Sequence, residues 1–150
     1  MNTELERIAE QLRRLYEGPS WLGPTLKELV GDVDEELARR RRWSNAHTIW
    51  ELVLHISAWL RIARERLSAM HVRDAGEAEN WPAMSGSWQE AVGSLEREIY
   101  ALEEAILKFP GHRLQESAPA SEAQSFYVLL HGVIQHSAYH AGQIALLKKE

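Results

Sequence analysis

Four stretches of this chain repeat apolar residues at steps of three and four, and none alternates apolar with polar as a half-buried strand does. Leu5, Ile8, Leu12 and Leu15 form the first stripe. Ile49, Val53, Ile56, Leu60, Ala63 and Leu67 form the second, beside a neighbouring stripe of Leu52, His55, Trp59 and Ile62. Val92, Leu95, Ile99, Leu102, Ile106 and Phe109 form the third. Phe126, Leu129, Val133, His136, His140, Ile144 and Leu147 form the fourth. Each stripe lines one face of a helix, and four such faces must bury against one another. The fold class that follows is all-α, a four-helix bundle. A helix that is apolar over two adjacent stripes touches more than one partner, so the second helix is expected to do so.

Punctuation sets the expected boundaries. The first helix runs from Thr3 to Glu17 and stops at Gly18-Pro19. Thr25 with Glu28, and Asp32 with Glu35, have capping-box spacing and predict two short helical pieces. The second long helix is expected to open near Ser44 or Asn45 and to reach about Met70. Residues 71–86, with Gly76, Trp81-Pro82 and Gly86, read as a crossover loop, and loops of that length are often functional. Ser87 with Glu90 opens the third helix, and Pro110-Gly111 ends it. Ser121 with Gln124 is the expected cap of the fourth.

At 150 residues the chain is expected to form one domain over 1–150, long enough to fold without staples. It has no cysteine, so disulfides, thiolate ligands and a cysteine nucleophile are excluded, and a cytoplasmic location is expected. The N-terminus MNTELERIAEQLRRLYEG lacks the apolar core of a signal peptide. No run of 18 apolar residues is present to span a membrane. A net charge of −5 argues against a nucleic-acid partner, which needs a basic face. The one basic run, Arg39 to Arg42, ends a short helix, where it complements the dipole.

Two histidines fall inside the fourth stripe. His136 and His140 lie about 40° apart on a helical wheel, so both imidazoles face the core. A buried polar group without a partner costs about 1–3 kcal/mol. Two readings satisfy the pair: core histidines bonded to backbone or water, or ligands of one metal ion. His55, in the neighbouring stripe of the second helix, could supply a third imidazole. Three protein ligands leave positions open for water or substrate, as in catalytic rather than structural sites.

Other groups compete for roles. Glu51, one turn before His55, is a candidate catalytic residue: it could orient the His55 ring or act as a base, although a solvated carboxylate is the plainer reading. His131 points elsewhere on its helix. His47 is expected at the surface, and His71 and His112 are expected to be solvated. Most of the six tryptophans are expected in the core, with one or two lining a pocket. Ser137, Ala138 and Tyr139 separate the histidine pair, so the glutamate of a zinc-protease helix is absent.

Three segments, GPSWLGPTLKELV, HTIWELVLHISAW and LLHGVIQHSAYHAGQIALLKK, resemble in order and spacing those of the DinB/YfiT-like family. The resemblance covers nearly the whole chain and is most specific in the third segment. It implies a four-helix bundle of up-down-down-up connectivity. It also implies one divalent metal held by one histidine of the second helix and two of the fourth, here His55, His136 and His140. The chain departs from the family at Leu22, where relatives often carry histidine, and at Ser137, where many carry Asp or Asn.

The expected cofactor is one divalent transition metal per chain, zinc or nickel first and iron or manganese next; imidazole ligands suit zinc, nickel, iron and copper and do not choose among them. Such an ion can activate a bound thiol or water. The expected function is a metal-dependent thiol S-transferase or hydrolase acting on a small molecule, with a low-molecular-weight thiol as a candidate partner. The alternative is a metal-dependent binding or stress-response module without turnover. The resemblance and the broad apolar face of the second helix point to a homodimer.

Overall fold

The structure is a computed structural model that describes residues 3–120 and 124–149. Among these residues every regular element is helical: α1 (Glu4–Glu17), α2 (Leu26–Gly31), α3 (Glu35–Arg39), α4 (Ile49–Leu67), α5 (Glu77–Asn80), α6 (Trp88–Lys108) and α7 (Phe126–Leu147), with a short 3-10 turn at Gly111–Arg113. The long helices are α1, α4, α6 and α7. Each packs against two others: α1 lies beside α6 and α7, and α4 lies beside the same two. The core they share includes Leu12 and Ile8 of α1, Ile56 and Leu60 of α4, Leu95 and Ile99 of α6, and Leu130 and Ile144 of α7. No helix among the described residues is long and apolar enough to cross a membrane.

Reciprocal caps start most of these helices. Thr3, Thr25, Thr48 and Ser87 each accept a backbone N–H three residues on, while a glutamate at that position accepts the cap's own N–H. Three expected boundaries are corrected. The second long helix starts at Ile49, not near Ser44 or Asn45, because Thr48 and Glu51 form the box; it ends at Leu67 rather than Met70. Asp34, not Asp32, caps α3, with its carboxylate on Leu37 N; Asp32 instead closes α2 and pairs with Lys148. On α7 the cap is Ser125, whose hydroxyl accepts from Val128 N. The expected partner of Gln124, Ser121, lies outside the described residues.

Thr48→Ala removes the hydroxyl that receives Glu51 N at 3.1 Å. It is expected to lower stability by about 1 kcal/mol. Urea unfolding followed by circular dichroism checks this; an unchanged midpoint would show that the cap contributes nothing.

The third stripe is buried through Trp88, Ala91 and Leu95, with Val92 at its margin. The tryptophans divide differently from expectation. Trp50 and Trp88 are core, Trp59 and Trp81 pack at its edge, and Trp21 and Trp43 are exposed. The 71–86 segment is a loop carrying one helical turn, α5. It is tied down by Glu79, which accepts from Arg73 at 2.6 Å and faces His71 at 3.4 Å. His71 is therefore buried, not solvated as expected. His112 is exposed.

Candidate metal centre

α4 and α7 bring three imidazoles together. His55 projects from the second turn after the Thr48 cap, and His136 and His140 come from adjacent turns of α7. His136 Nε2 lies 2.9 Å from His55 Nε2 and 3.0 Å from His140 Nε2. His55 and His140 are buried, and His136 is half-buried.

Outer partners fix two of the three rings. His55 Nδ1 is 2.5 Å from the Asn80 carbonyl. A carbonyl can only accept, so Nδ1 carries the proton and Nε2 presents a lone pair. His140 Nδ1 is 2.5 Å from Gln143 Oε1, whose amide nitrogen donates to the Tyr139 hydroxyl. That orientation likewise leaves His140 Nε2 with a lone pair. His136 Nε2 sits against both lone pairs, while its Nδ1 is buried with no partner among the described residues. An Nε2–H on His136 can serve one neighbour and leaves the other unsatisfied; an Nδ1–H leaves three lone pairs facing one another. No tautomer satisfies the cluster from the described protein groups alone. One cation satisfies all three lone pairs, and metal–nitrogen bonds of about 2.0–2.1 Å place neighbouring ligands about 3 Å apart. The residues therefore fit a metal ion, and these three could hold one.

Burial lowers the pKa of all three. His136 is pushed down to about 4, by burial first and then by its two neighbours. His55 is lowered by burial against the opposing pull of the Asn80 carbonyl, and His140 by burial against that of Gln143. Near neutral pH the three rings are uncharged, the form a metal requires.

Trp81 supports the cluster from one side. Its indole stacks on His55 at 3.8 Å and on His47 at 3.5 Å. At those separations the two imidazoles cannot share a face of the indole, so Trp81 is held between them. His47, exposed as expected, is thus also tied to the site from outside. Trp59 closes another side, its ring 5.9 Å from that of His136 and its Nε1 donating to Asn80 Oδ1 at 2.8 Å. Asn80 thereby holds both His55 and Trp59.

Glu51 reaches this network only at its outer edge, through His47, and does not touch the three rings. Its oxygens accept from Thr48 N and Arg41 at 2.7 Å each and face His47 at 3.5 Å. The ring partner of His55 is the Asn80 carbonyl instead. Burial pushes the Glu51 carboxyl up, but Thr48 and Arg41 outweigh it and hold it below the usual carboxylate value. A carboxylate so held is a weaker base than a free one. His131 packs on Tyr127 at 4.4 Å, away from the cluster.

A cavity of about 560 Å³ opens beside the rings, lined by His55, His136, Trp59, Gly132, Val133 and Arg66 among others. That is the size of a small-molecule site. A Cβ added at Gly132 would meet nothing within 4 Å, so this glycine widens the cavity rather than permitting close helix packing.

The family model of the DinB superfamily matches residues 22–144, which include all three histidines. The chain belongs to the DinB superfamily. Comparison with curated proteins and with solved structures returns no match. Membership and the three-histidine group both fit metal binding. Asn80, Trp81 and Gln143 are the parts of this DinB site that the stripes do not announce. Gln143, three residues after His140 on one helix face, carries the only spacing signal among them.

Proposed function

We propose that this chain is a DinB-type four-helix bundle of up-down-down-up connectivity that binds one divalent transition metal through His55, His136 and His140. It uses that ion as a thiol S-transferase or hydrolase on a small molecule. The observation that carries this reading is the convergence of three Nε2 atoms beside a cavity of about 560 Å³. The long connection at residues 68–87, between the neighbours α4 and α6, supports the connectivity, because parallel neighbours need a crossover. Zinc or nickel suits the all-imidazole donor set.

Bound there, the ion would supply Lewis acidity, lowering the pKa of a thiol or water. The chain's own residues do the rest. Asn80 and Gln143 hold the ring protons on the outer nitrogens. Trp81 covers one side of His55. Trp59, Leu129 and Val133 give the cavity an apolar wall that holds a substrate chain. We further propose a cytoplasmic homodimer that acts on a small molecule, with a low-molecular-weight thiol as the first candidate, rather than on nucleic acid or membrane.

The test is turnover by tag-free, metal-loaded protein against aryl halides with a thiol panel, and against aryl esters without thiol. Metal-dependent turnover, lost with His140→Ala, is expected, and thiol dependence separates transferase from hydrolase. Stoichiometric metal with no turnover across both panels would replace catalysis by a binding module.

A further inference from the structure

Arg66 is a buried charge that the histidine cluster does not use. It follows His55 by three turns on α4, about 20° around the wheel, so His55, Trp59, Ile62 and Arg66 share one stripe. It is 8% exposed, and its Nε is buried without a partner among the described residues. One terminal nitrogen makes a long 3.5 Å bond to the Arg73 carbonyl. Asp74 also lines the cavity and acts on the guanidinium electrostatically, while the guanidinium carbon lies 5.7 Å from the Trp59 ring centre.

A guanidinium stays charged in a protein and offers five donors in a planar fork. Arg66 spends few of them on the protein, and it lines the same cavity as His55 and His136. Trp59 measures the span. Its ring lies 5.7 Å from the guanidinium carbon and 5.9 Å from the His136 ring, so the two ends are at most about 11.6 Å apart, the sum of those distances. Between them the wall is apolar, formed by Trp59, Leu129 and Val133. A charge at one end, ligating nitrogens at the other and an apolar wall between select a particular shape of molecule.

We propose that Arg66 is an anion subsite that takes the carboxylate of a short, elongated small molecule whose other end reaches the three histidines. A carboxylate is the acceptor whose two oxygens match the fork. The proposal rests on the metal-site reading, since the histidine end anchors the ligand, and it names the substrate class that reading leaves open: an ω-functionalised carboxylic acid with a few apolar carbons between its ends.

The experiment uses the full chain loaded with Co²⁺ and reads the sulfur-to-cobalt charge-transfer band. The probes are 3-mercaptopropionate and 6-mercaptohexanoate, each beside the mercapto alcohol of equal length. The expected result is that, at the length that spans the cavity, the acid binds at least about 10-fold more tightly than its alcohol, the gain of a charge-assisted pair over a neutral one. Arg66→Gln should abolish that preference while leaving the alcohol's affinity in place, and Arg66→Lys should keep part of it. The acid–alcohol comparison on the unmutated chain needs no variant, so it tests for an anion subsite even if Arg66→Gln does not fold, and Arg66→Lys then tests its assignment to Arg66. Equal affinities of acid and alcohol at both lengths, with the band present, would overturn the subsite and leave the metal site standing. Failure of the chain to take up Co²⁺, read from its d–d bands and cobalt content, would overturn the metal-site reading and the subsite with it; bound Co²⁺ with no sulfur band from any thiol would overturn the subsite as proposed. A preference that survives in Arg66→Gln would assign the anion to another group and overturn the role of Arg66.

Discussion

His136→Ala is expected to reduce bound metal from about one ion per chain to nearly none, and to weaken Zn²⁺ or Co²⁺ binding by roughly 10³-fold or more. Loss of an outer partner alone typically costs about 10–100-fold, and loss of a ligand should cost more. His136 is the sensitive position because its Nε2 lies against both other ligand atoms, at 2.9 and 3.0 Å. Its removal leaves the remaining pair, His55 and His140, on different helices. The fold should survive, because His136 is half-buried and the α7 core rests on Leu130, Val133, Ala141 and Ile144. Elemental analysis of tag-free protein, beside a melting curve, checks both parts. Full metal content in the variant would remove His136 from the ligand set.

The metal-free protein is expected to lose stability on acidification, by on the order of 3 kcal/mol from His136 alone, between about pH 6.5 and pH 4. The His136 pKa lies at about 4 in the folded chain against an ordinary 6.5, so within that interval the unfolded chain binds the extra proton. The contribution is complete above about 6.5, shrinks as pH falls, and is gone below about 4; a folded pKa one pH unit below the unfolded one is worth about 1.4 kcal/mol. His55 and His140 are lowered by burial too and act in the same direction. Metal release is therefore expected at lower pH than the ordinary imidazole value of 6.5 would give, because protons compete poorly for rings already held neutral. Urea titrations of the apo form at several pH values read the slope directly. A flat profile from pH 7 to 4 would show that these rings titrate normally.

Periodicity made the long helices legible. A 3.6-residue stripe follows directly from burying one face, and Ile8, Leu12, Ile56, Leu95 and Ile144 are all fully buried. The start of α4 shows what residue type alone leaves open. Ser44, Asn45 and Thr48 all favour caps, but only Thr48 has a glutamate three residues on to return the bond. The three histidines were visible as polar residues inside apolar stripes. Their support was not. The group that orients His55 is the backbone carbonyl of Asn80, and a carbonyl leaves no trace in residue type. Trp81 meets His55, and His47 meets Trp81, only through the path of the 71–86 segment and the turn before α4, which no periodicity encodes. The exposed Trp21 and the buried His71 miss expectation for the same reason: both lie in connections, where burial depends on the route of the chain.

The arrangement of Trp81 and the cavity around His55 also sets the direction from which the histidines are reached. The indole covers one face of that imidazole, and the open volume lies beside Trp59, Gly132 and His136. His140 does not line that volume, so a guest meets the trio from one quarter and along one direction. A flat group held against Trp59 would therefore come up to His55 and His136 first, with His140 behind them.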